Sequence, residues 1–198
     1  MRLNLKHLAL AAALAVAGCA SNPGIEVTRF HLGQPIPSDT IELQPGPGGD
    51  ANGLEFRSQA AIVASDLNTV GLHPAEGRGK SGYIGILNVS QSSQVGPPRQ
   101  SPFSIGIGGF TGGSNVGVGG SVQVPVGNAR SNVVLTNMLA LQIRRRSENT
   151  MVWEGRAIEQ APSGSGASLT AAVPRLSRAL LKDFPGLSGQ TVRVKPTR

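Results

Sequence analysis

The alternation of apolar and polar side chains predicts several strands and two helices. A β-branched and aromatic run predicts a first strand at Ile25–Leu32, and a similar run predicts another at Gly82–Val89. Between these strands, apolar residues recur at intervals of four and three, which is typical of one helix face. This face consists of Phe56, Ala60, Val63, Leu67 and Val70. The segment 34–53 is rich in proline and glycine, and we expect a loop there.

A different pattern fills the segment 95–128, which is rich in glycine and has Arg99 as its only charged residue. Apolar and small residues alternate on both sides of a Gly-Gly-Ser-Asn sequence at 112–115, which predicts a Gly/Val-rich β-hairpin with one apolar face. The apolar positions are Phe103, Ile105, Ile107, Val116, Val118, Val122 and Val124. Because proline cannot donate a ladder hydrogen bond, Pro125 predicts that the second strand either lies at a sheet edge or frays there.

The remaining residues predict a second hairpin, a helix and a short last strand. Apolar residues alternate over Val133–Ile143 and again over Met151–Ala157, with a polar turn between the two runs. An apolar stripe predicts a helix over Ser168–Lys182, although Pro174 requires it to start late or to bend. A short strand is predicted at Thr191–Val194.

These elements predict one α+β domain. Helices interspersed with strands favour a mostly antiparallel sheet with two helices packed on one face. A chain of 198 residues has room for one domain of ordinary size with its own core. We expect this domain to occupy 25–194, with the Gly/Val-rich hairpin as an insertion at 95–128.

The first residues resemble a bacterial lipoprotein signal peptide. Two basic residues precede an uncharged run at Leu8–Ala17, which in a helix rises only about 15 Å and is too short to span a bilayer. The sequence Val16-Ala17-Gly18-Cys19 then resembles a lipobox. The resemblance implies that the Cys19 sulfur receives a diacylglyceryl group, that cleavage occurs between Gly18 and Cys19, and that the new amine is acylated.

This resemblance predicts where the protein resides. Residues 1–18 are the predicted signal peptide, and residues 19–24 are the lipidated cysteine with a short tether. Ala20 follows Cys19 where an aspartate would signal retention at the inner membrane, so sorting in Gram-negative bacteria implies the periplasmic face of the outer membrane. The alternative is ordinary secretion by cleavage after Ala17, which would leave Cys19 as a free thiol.

The net charge limits the kinds of partner we expect, and the cysteine count limits the covalent links. The formal net charge is +7, and loss of the two basic residues of the leader lowers it to +5. Outside the inner membrane, the available anions are lipid head groups, lipopolysaccharide and acidic polymers. Aromatic residues do not interleave with basic ones, so no nucleic-acid partner is expected. A single cysteine excludes an internal disulfide.

Three features together resemble bacterial lipoproteins that carry the domain of unknown function numbered 4136. These features are the lipobox followed by a strand and a helix, the Gly/Val hairpin before the sequence Met-Val-Trp-Glu-Gly-Arg-Ala at 151–157, and the last helix that ends on Phe184-Pro185. The resemblance covers most of 19–186. It implies the fold and the location but no reaction, because that family has no assigned activity.

Catalytic and cofactor motifs give no positive signal. Gly79-Lys80-Ser81 matches only the end of a phosphate-binding loop and precedes a strand instead of a helix. His31 and His73 lie on different elements without metal-ligand spacing, so neither a metal nor a cofactor is expected. Glu154 and Glu159 are predicted to lie on opposite faces of a strand as solvated carboxylates. We therefore expect no enzymatic activity.

Two residue groups remain as candidates for contact. Arg144, Arg145 and Arg146 approach the tip of the second hairpin, either as a solvated turn near Glu148 or as a contact for lipid phosphate or an acidic partner. Trp153 is predicted to anchor the core, and a platform for a ligand is the alternative.

The expected function is a non-enzymatic lipoprotein that binds an unknown envelope protein, an anionic lipid or a polymer. The apolar positions of the Gly/Val hairpin are its candidate contact surface, because an apolar strand can offer its edge to another chain. A structural or oligomerising role for this hairpin is the alternative. A hydrolase without recognisable motifs is a third.

Overall fold

The computed structural model describes residues 24–95, 104–106, 123–125, 133–164 and 166–196. The strands in this part of the chain are β1 Ile25–His31, β2 Asp39–Pro45, β3 Leu72–Pro74, β4 Tyr83–Val95, β5 Ser104–Gly106, β6 Gln123–Pro125, β7 Val133–Arg145, β8 Thr150–Pro162 and β9 Gln190–Val194. The helices are α1 Leu54–Thr69 and α2 Leu169–Leu181. None of the described helices is long and apolar enough to cross a bilayer.

Seven strands form one sheet in the order β3-β2-β4-β7-β8-β1-β9. All of its pairings are antiparallel except that β2 runs parallel to both β3 and β4. The predicted α+β class and the mostly antiparallel sheet are therefore confirmed. The prediction of a loop over 34–53 is wrong, because β2 lies within it.

One face of the sheet carries the core. Along β4, buried Tyr83, Gly85 and Leu87 alternate with half-buried Ile84 and Ile86. The same period of two continues along β7 and β8, as expected for strands with one covered face. The core residues of both helices pack onto this face: Val63, Leu67, Ala172, Val173, Leu176, Ala179, Leu180 and Leu181.

Local chemistry sets the helix ends. Ser168 caps α2, because its hydroxyl accepts a hydrogen bond from the Ala171 N–H, and the helix then continues through Pro174. Helix α1 starts after Gly53 without a side-chain cap and ends before Gly71, whose φ of 89° suits glycine.

The two described pieces of the Gly/Val hairpin pair with each other. β5 and β6 run antiparallel, with Ile105 opposite Val124, and form a separate two-stranded ladder. The other predicted contact positions lie outside the described residues: Phe103, Ile107, Val116, Val118 and Val122.

Candidate functional site

The start of β1 and the ends of β4 and β7 share one end of the sheet. Through the pairing across β8, Ile25 is level with Asn137 of β7. From that level β7 extends a further four residues to Val133, which lies opposite Val95 at the end of β4. These four residues span about 13 Å. The segment before Ile25 and the segment 96–132 therefore join the sheet at this end, which we call the tether end.

The three consecutive arginines lie at the other end of the sheet. Arg145 is the last residue of β7, twelve positions after Val133, which corresponds to about 40 Å along an extended strand. We call this the turn end, because β7 leads there into the turn to β8. The structure therefore separates Arg144, Arg145 and Arg146 from the attachment of the Gly/Val hairpin.

Arg146 is held within the turn end. Its Nε donates to the Ser81 backbone oxygen at 2.9 Å, and its Nη2 donates to Ser81 Oγ at 2.8 Å and pairs with Glu42 Oε2. Arg145 lies 3.9 Å from the Glu148 carboxylate, and the Nε of Arg144 is buried without a hydrogen-bond partner among the described residues. The side chain of Arg145 is 39% exposed, compared with 26% for Arg146.

The Glu42 carboxylate accepts hydrogen bonds from several groups at the turn end. The Gly79 N–H donates to Glu42 Oε2 at 2.8 Å and is the main cause that lowers the pKa of Glu42 below its ordinary value of 4.5. Burial raises the pKa against this effect, while Gln44 and Arg146 lower it further. The Gly79-Lys80-Ser81 sequence therefore binds a carboxylate of its own chain.

Replacing Glu42 with glutamine should destabilise the fold in a pH-dependent way. A carboxyl whose folded pKa is lowered stabilises the protein above its unfolded pKa, and this contribution is lost as the pH falls through the folded pKa. We expect Glu42→Gln to lower the free energy of unfolding by about 1 kcal/mol at neutral pH. Urea unfolding should show this difference shrinking below about pH 4.5. Glu76→Gln, at an exposed carboxylate, is the control and should change little at either pH; equal effects of both variants would contradict the assignment.

A buried amide cluster fixes the loop before α2 to the tether end. Asn137, which interrupts the apolar alternation of β7, is fully buried and donates to the Ala167 backbone oxygen at 3.2 Å. Gln91 donates to Asn137 Oδ1 at 2.6 Å and to the same Ala167 oxygen at 3.0 Å. The polar residue in the strand pattern therefore marks a loop attachment.

Glu159 forms a buried ion pair, so its prediction as a solvated carboxylate is wrong. Its oxygens accept from Arg175 Nε at 3.1 Å and Nη2 at 2.8 Å, a two-pronged geometry that fits a guanidinium. Arg175 also donates to the backbone oxygens of Gly166 and Ala171. Glu154 is half-buried on the opposite face of β8, and the predicted separation of the two acids is confirmed.

Arg29 of β1 caps the C-terminus of α2. It is 5% exposed, and it donates from Nε to Leu180 O at 2.9 Å and from Nη2 to the Ala179 and Lys182 oxygens, each at 3.0 Å. A cation at a helix C-terminus is favoured by the helix dipole. Burial lowers the pKa of Arg29, and nearby Asp183 raises it in part. Arg29 therefore ties β1 to the last turn of α2.

Replacing Arg29 with methionine should cost about 3 kcal/mol, because buried carbonyl oxygens would lose their donors. Arg29→Lys should recover only part of this stability, because a single ammonium cannot reproduce the guanidinium fork. Equilibrium urea unfolding measures both values. Arg156→Met, at an exposed residue one position along the β1–β8 ladder, is the matched control. A loss as large in Arg156→Met as in Arg29→Met would contradict the capping role.

Two pieces of the sequence resemblance, Trp153 with Gly155 and Phe184-Pro185, pack against each other. Trp153 is fully buried, which confirms its prediction as a core anchor, and its Nε1 donates to the Pro185 oxygen at 3.0 Å. The Trp153 and Phe184 rings lie 5.3 Å apart between centroids. At Gly155, an added Cβ would lie 2.4 Å from Trp153 Cη2, which explains why this position has no side chain. These residues have a packing role.

A groove of about 750 Å³ runs between β2, α1 and the link after β3. Its walls include apolar Ile41, Leu43 and Phe56, and its charged residues are Arg57, Arg78, Glu42 and Glu76. No serine, cysteine or histidine lines it among the described residues. The groove therefore offers apolar surface and balanced charge but no nucleophile of those three types.

Both described histidines take part in local hydrogen bonds. His31 lies at the end of β1, as predicted, with its Nε2 3.1 Å from the Gly186 oxygen and its Nδ1 accepting from the Gly33 N–H. His73 lies on β3, with its Nδ1 2.6 Å from Asn68 Oδ1. Within the described part of the chain, no three histidine, cysteine or acidic side chains are grouped as metal ligands.

A comparison with solved structures finds likeness at low sequence identity. The chain is similar to a PDZ domain protein from Parabacteroides distasonis, with a TM-score of 0.50 and 13% identity over 92% of this chain and 41% of that one. It is also similar to the PelC dodecamer from Paraburkholderia phytofirmans, with a TM-score of 0.43 and 12% identity over 83% of this chain and 99% of that one. The first likeness concerns the fold alone, and this chain spans less than half of that protein.

Sequence comparison gives a closer relationship. No protein-family model matches the chain, and the resemblance to the 4136 lipoproteins stays a prediction. The uncharacterized protein ZMO1243 of Zymomonas mobilis is 31% identical over an alignment of 213 positions, gaps included, which covers 86% of this chain and 80% of that protein. The chain therefore belongs to the same family as this Zymomonas protein.

Proposed function

We propose that the protein is a non-enzymatic lipoprotein, anchored through Cys19 to the periplasmic face of the outer membrane, that binds an envelope component with its Gly/Val hairpin. The observation that carries this proposal is the shared attachment of two segments at the tether end. One segment leads to the lipobox cysteine, and the other is the hairpin insertion. Their attachment points at Ile25, Val95 and Val133 lie far from the turn end.

The length of the tether supports this orientation. Five residues separate Cys19 from Ile25, and an extended chain of this length reaches at most about 17 Å. A lipid on Cys19 would therefore hold the start of β1 close to the bilayer surface. Because β4 and β7 project about 13 Å beyond that level, the hairpin insertion would leave the domain on the membrane-facing side.

The composition at the tether end suits this position. Val95 at the end of β4 is 85% exposed, and it lies opposite Val133. Residues 96–132 contain two arginines and no acidic residue. Apolar and small residues with a slight positive charge match a surface that meets an anionic head-group layer or another envelope protein. We therefore assign partner contact to Ile105, Val124 and the other apolar hairpin positions.

The arginines at the turn end contribute less to this proposal. At about 40 Å from Val133, they would face the periplasm and not the anchoring bilayer. Arg146 is engaged by Ser81 and Glu42, so contact with an acidic periplasmic partner would fall to Arg145.

A structural role is the second candidate. Apolar alternation over about ten residues has the length of a membrane-strand segment, and hairpins from several copies could assemble at the tether end. A monomer in neutral detergent, with β5 and β6 accessible to water, would exclude this role. We give the third candidate, hydrolysis, no residue assignment.

Deletion of the hairpin tests the binding proposal. Envelope complexes are cross-linked in intact cells and recovered with the full protein or with a protein that lacks 103–126. We expect the deletion to remove specific partners while Cys19 lipidation, read from the mass of the N-terminal peptide, is unchanged. Arg156→Gln, at an exposed residue of β8 outside the hairpin, is the control and should keep the partners. Identical partners for the full and deleted proteins would contradict the contact assignment.

A further inference from the structure

A second cavity, on the helix side of the domain, has four basic residues in its lining. It has a volume of about 360 Å³ and lies between the end of α1, the second half of α2 and the chain after β9. The charged residues in its walls are Asp66, Arg175, Arg178, Lys182 and Lys195. We call this the basic cavity.

Three of these cations have no ion-pair partner among the described residues. Arg178, Lys182 and Lys195 are exposed, and none takes part in a described salt bridge. Arg178 donates from Nε to the Pro174 oxygen at 3.0 Å, which leaves its terminal amino groups available. Arg175 is already paired with Glu159. The cavity thus holds a surplus of positive charge.

Among the described residues that line the cavity, Asp66 is the one acid. Its Oδ2 is buried and has no hydrogen-bond partner in the described structure. Since its charge opposes that of the available cations, it should weaken the binding of any anion there. Replacing Asp66 should therefore tighten anion binding, whereas replacing one of the cations should weaken it.

The cavity reaches the chain beside the tether. Val194 pairs with Ile25, and Lys195 and Pro196 follow directly into the cavity wall. Gly24 is in close contact with the same strand, because an added Cβ there would lie 3.2 Å from the Val194 oxygen. If Cys19 carries the lipid, the cavity lies near the head groups of the anchoring leaflet.

We propose that the basic cavity binds a phosphate group, with Arg178, Lys182 and Lys195 as its ligands. Ammonium and guanidinium groups donate to phosphate oxygens through charge-assisted hydrogen bonds, and all three of these residues line one cavity. The location beside the tether favours a lipid phosphate, which rests on the proposed lipid anchor. A free phosphate anion offers the same chemistry.

The lysines allow a direct test on the lipidated protein in neutral detergent. After residue 18 the chain has three lysines, of which Lys182 and Lys195 line the cavity and Lys80 lies elsewhere. Reductive ¹³C-methylation keeps their charge and gives each one an NMR signal. The probes are inorganic phosphate and phosphatidylglycerol mixed into the micelles, with sodium chloride at equal ionic strength as the control.

We expect phosphate to shift the Lys182 and Lys195 signals and to leave Lys80 in place. A shift with both probes supports a lipid source, and a shift with inorganic phosphate alone supports a free anion. Equal shifts at all three lysines, equal shifts with chloride, or no shift would overturn the proposal. The mass of the Cys19 peptide reports lipidation separately, so failure of the anchor can be distinguished from failure of the cavity.

Two substitutions with opposite expected effects on phosphate affinity give a second test. Arg178→Gln should weaken inorganic phosphate binding about tenfold, whereas Asp66→Asn should tighten it about threefold. Arg57→Gln, at a basic residue in the groove on the β2 side, is the matched control and should leave the affinity unchanged. The same loss in Arg178→Gln and Arg57→Gln would indicate attraction by net charge alone and would overturn the assignment.

Discussion

Replacing Cys19 with serine is expected to abolish lipid attachment and to remove the protein from the outer membrane. In the proposed lipidation the thiol is the nucleophile that accepts the lipid, and a serine hydroxyl does not replace it in such a reaction. Several acyl chains, each contributing about 0.8 kcal/mol per buried CH₂, would otherwise anchor the protein durably. Metabolic labelling with an alkyne fatty acid and membrane fractionation measure the two effects.

Ser21→Ala is the control for this experiment, because it changes the tether and keeps the lipobox intact. We expect it to retain both the label and the outer-membrane location. Labelling of the Cys19→Ser variant, or its recovery in the outer membrane in wild-type amount, would show that the protein is held there by something other than Cys19.

Replacing Trp153 with alanine is expected to lower the free energy of unfolding by about 3–5 kcal/mol, which is typical of a fully buried aromatic residue. The indole fills the space between the sheet and Phe184, and it donates to the Pro185 oxygen. Its loss would open a cavity and leave that oxygen without its donor. Urea unfolding followed by far-ultraviolet circular dichroism measures this change without depending on tryptophan fluorescence.

A double-mutant cycle tests whether Trp153 and Gly155 form one packing unit. Gly155→Ala would place a methyl group 2.4 Å from Trp153 Cη2 and 2.8 Å from Leu180 Cδ1, so we expect a loss of about 1–3 kcal/mol. Trp153→Phe removes the ring atoms in that contact. The double variant should therefore lose less stability than the sum of the two single variants. Additive losses would contradict direct packing between the two residues.

The strands that the sequence pattern identifies have one clear apolar face and few prolines. β2 was missed although Ile41 and Leu43 alternate with polar residues, because prolines on both sides of this short run favoured a loop. Its strand geometry depends on parallel pairing with β4 across the intervening helix α1. Such a pairing is a tertiary contact that local propensity does not reveal.

The buried charges were also hidden from sequence reasoning, since charged residues are seldom buried unless paired. Arg29 has the same parity as Ile25 and Val27, whereas Phe30 on the other face is 49% exposed. This inversion of the apolar pattern was the available signal for an internal role. The partners of Arg29 are carbonyl groups about 150 positions away, and no local pattern indicates them.

The tether end could be predicted only in part. The lipobox and the hairpin are both visible in the sequence, but their relationship depends on the register of β1 against β8. Because β1 runs antiparallel to β8, its first residue lies near the Val133 end of β7. If β1 ran parallel to β8, its first residue would lie near the Arg145 end instead. Strand direction thus determines which residues can share a surface.

The orientation of the sheet relative to the membrane is tested most directly with two single-cysteine labels. A lipidated Cys19 has no free thiol, so a fluorophore on Ser93→Cys or Ser147→Cys reports one site. Ser93 pairs with Leu135 near the tether end. Ser147 is exposed in the turn that follows Arg145, and the Leu135–Arg145 stretch of β7 spans about 34 Å. With a quencher carried by lipids, we expect strong quenching at position 93 and little at position 147. Equal quenching at both positions, or stronger quenching at 147, would contradict a membrane-facing tether end.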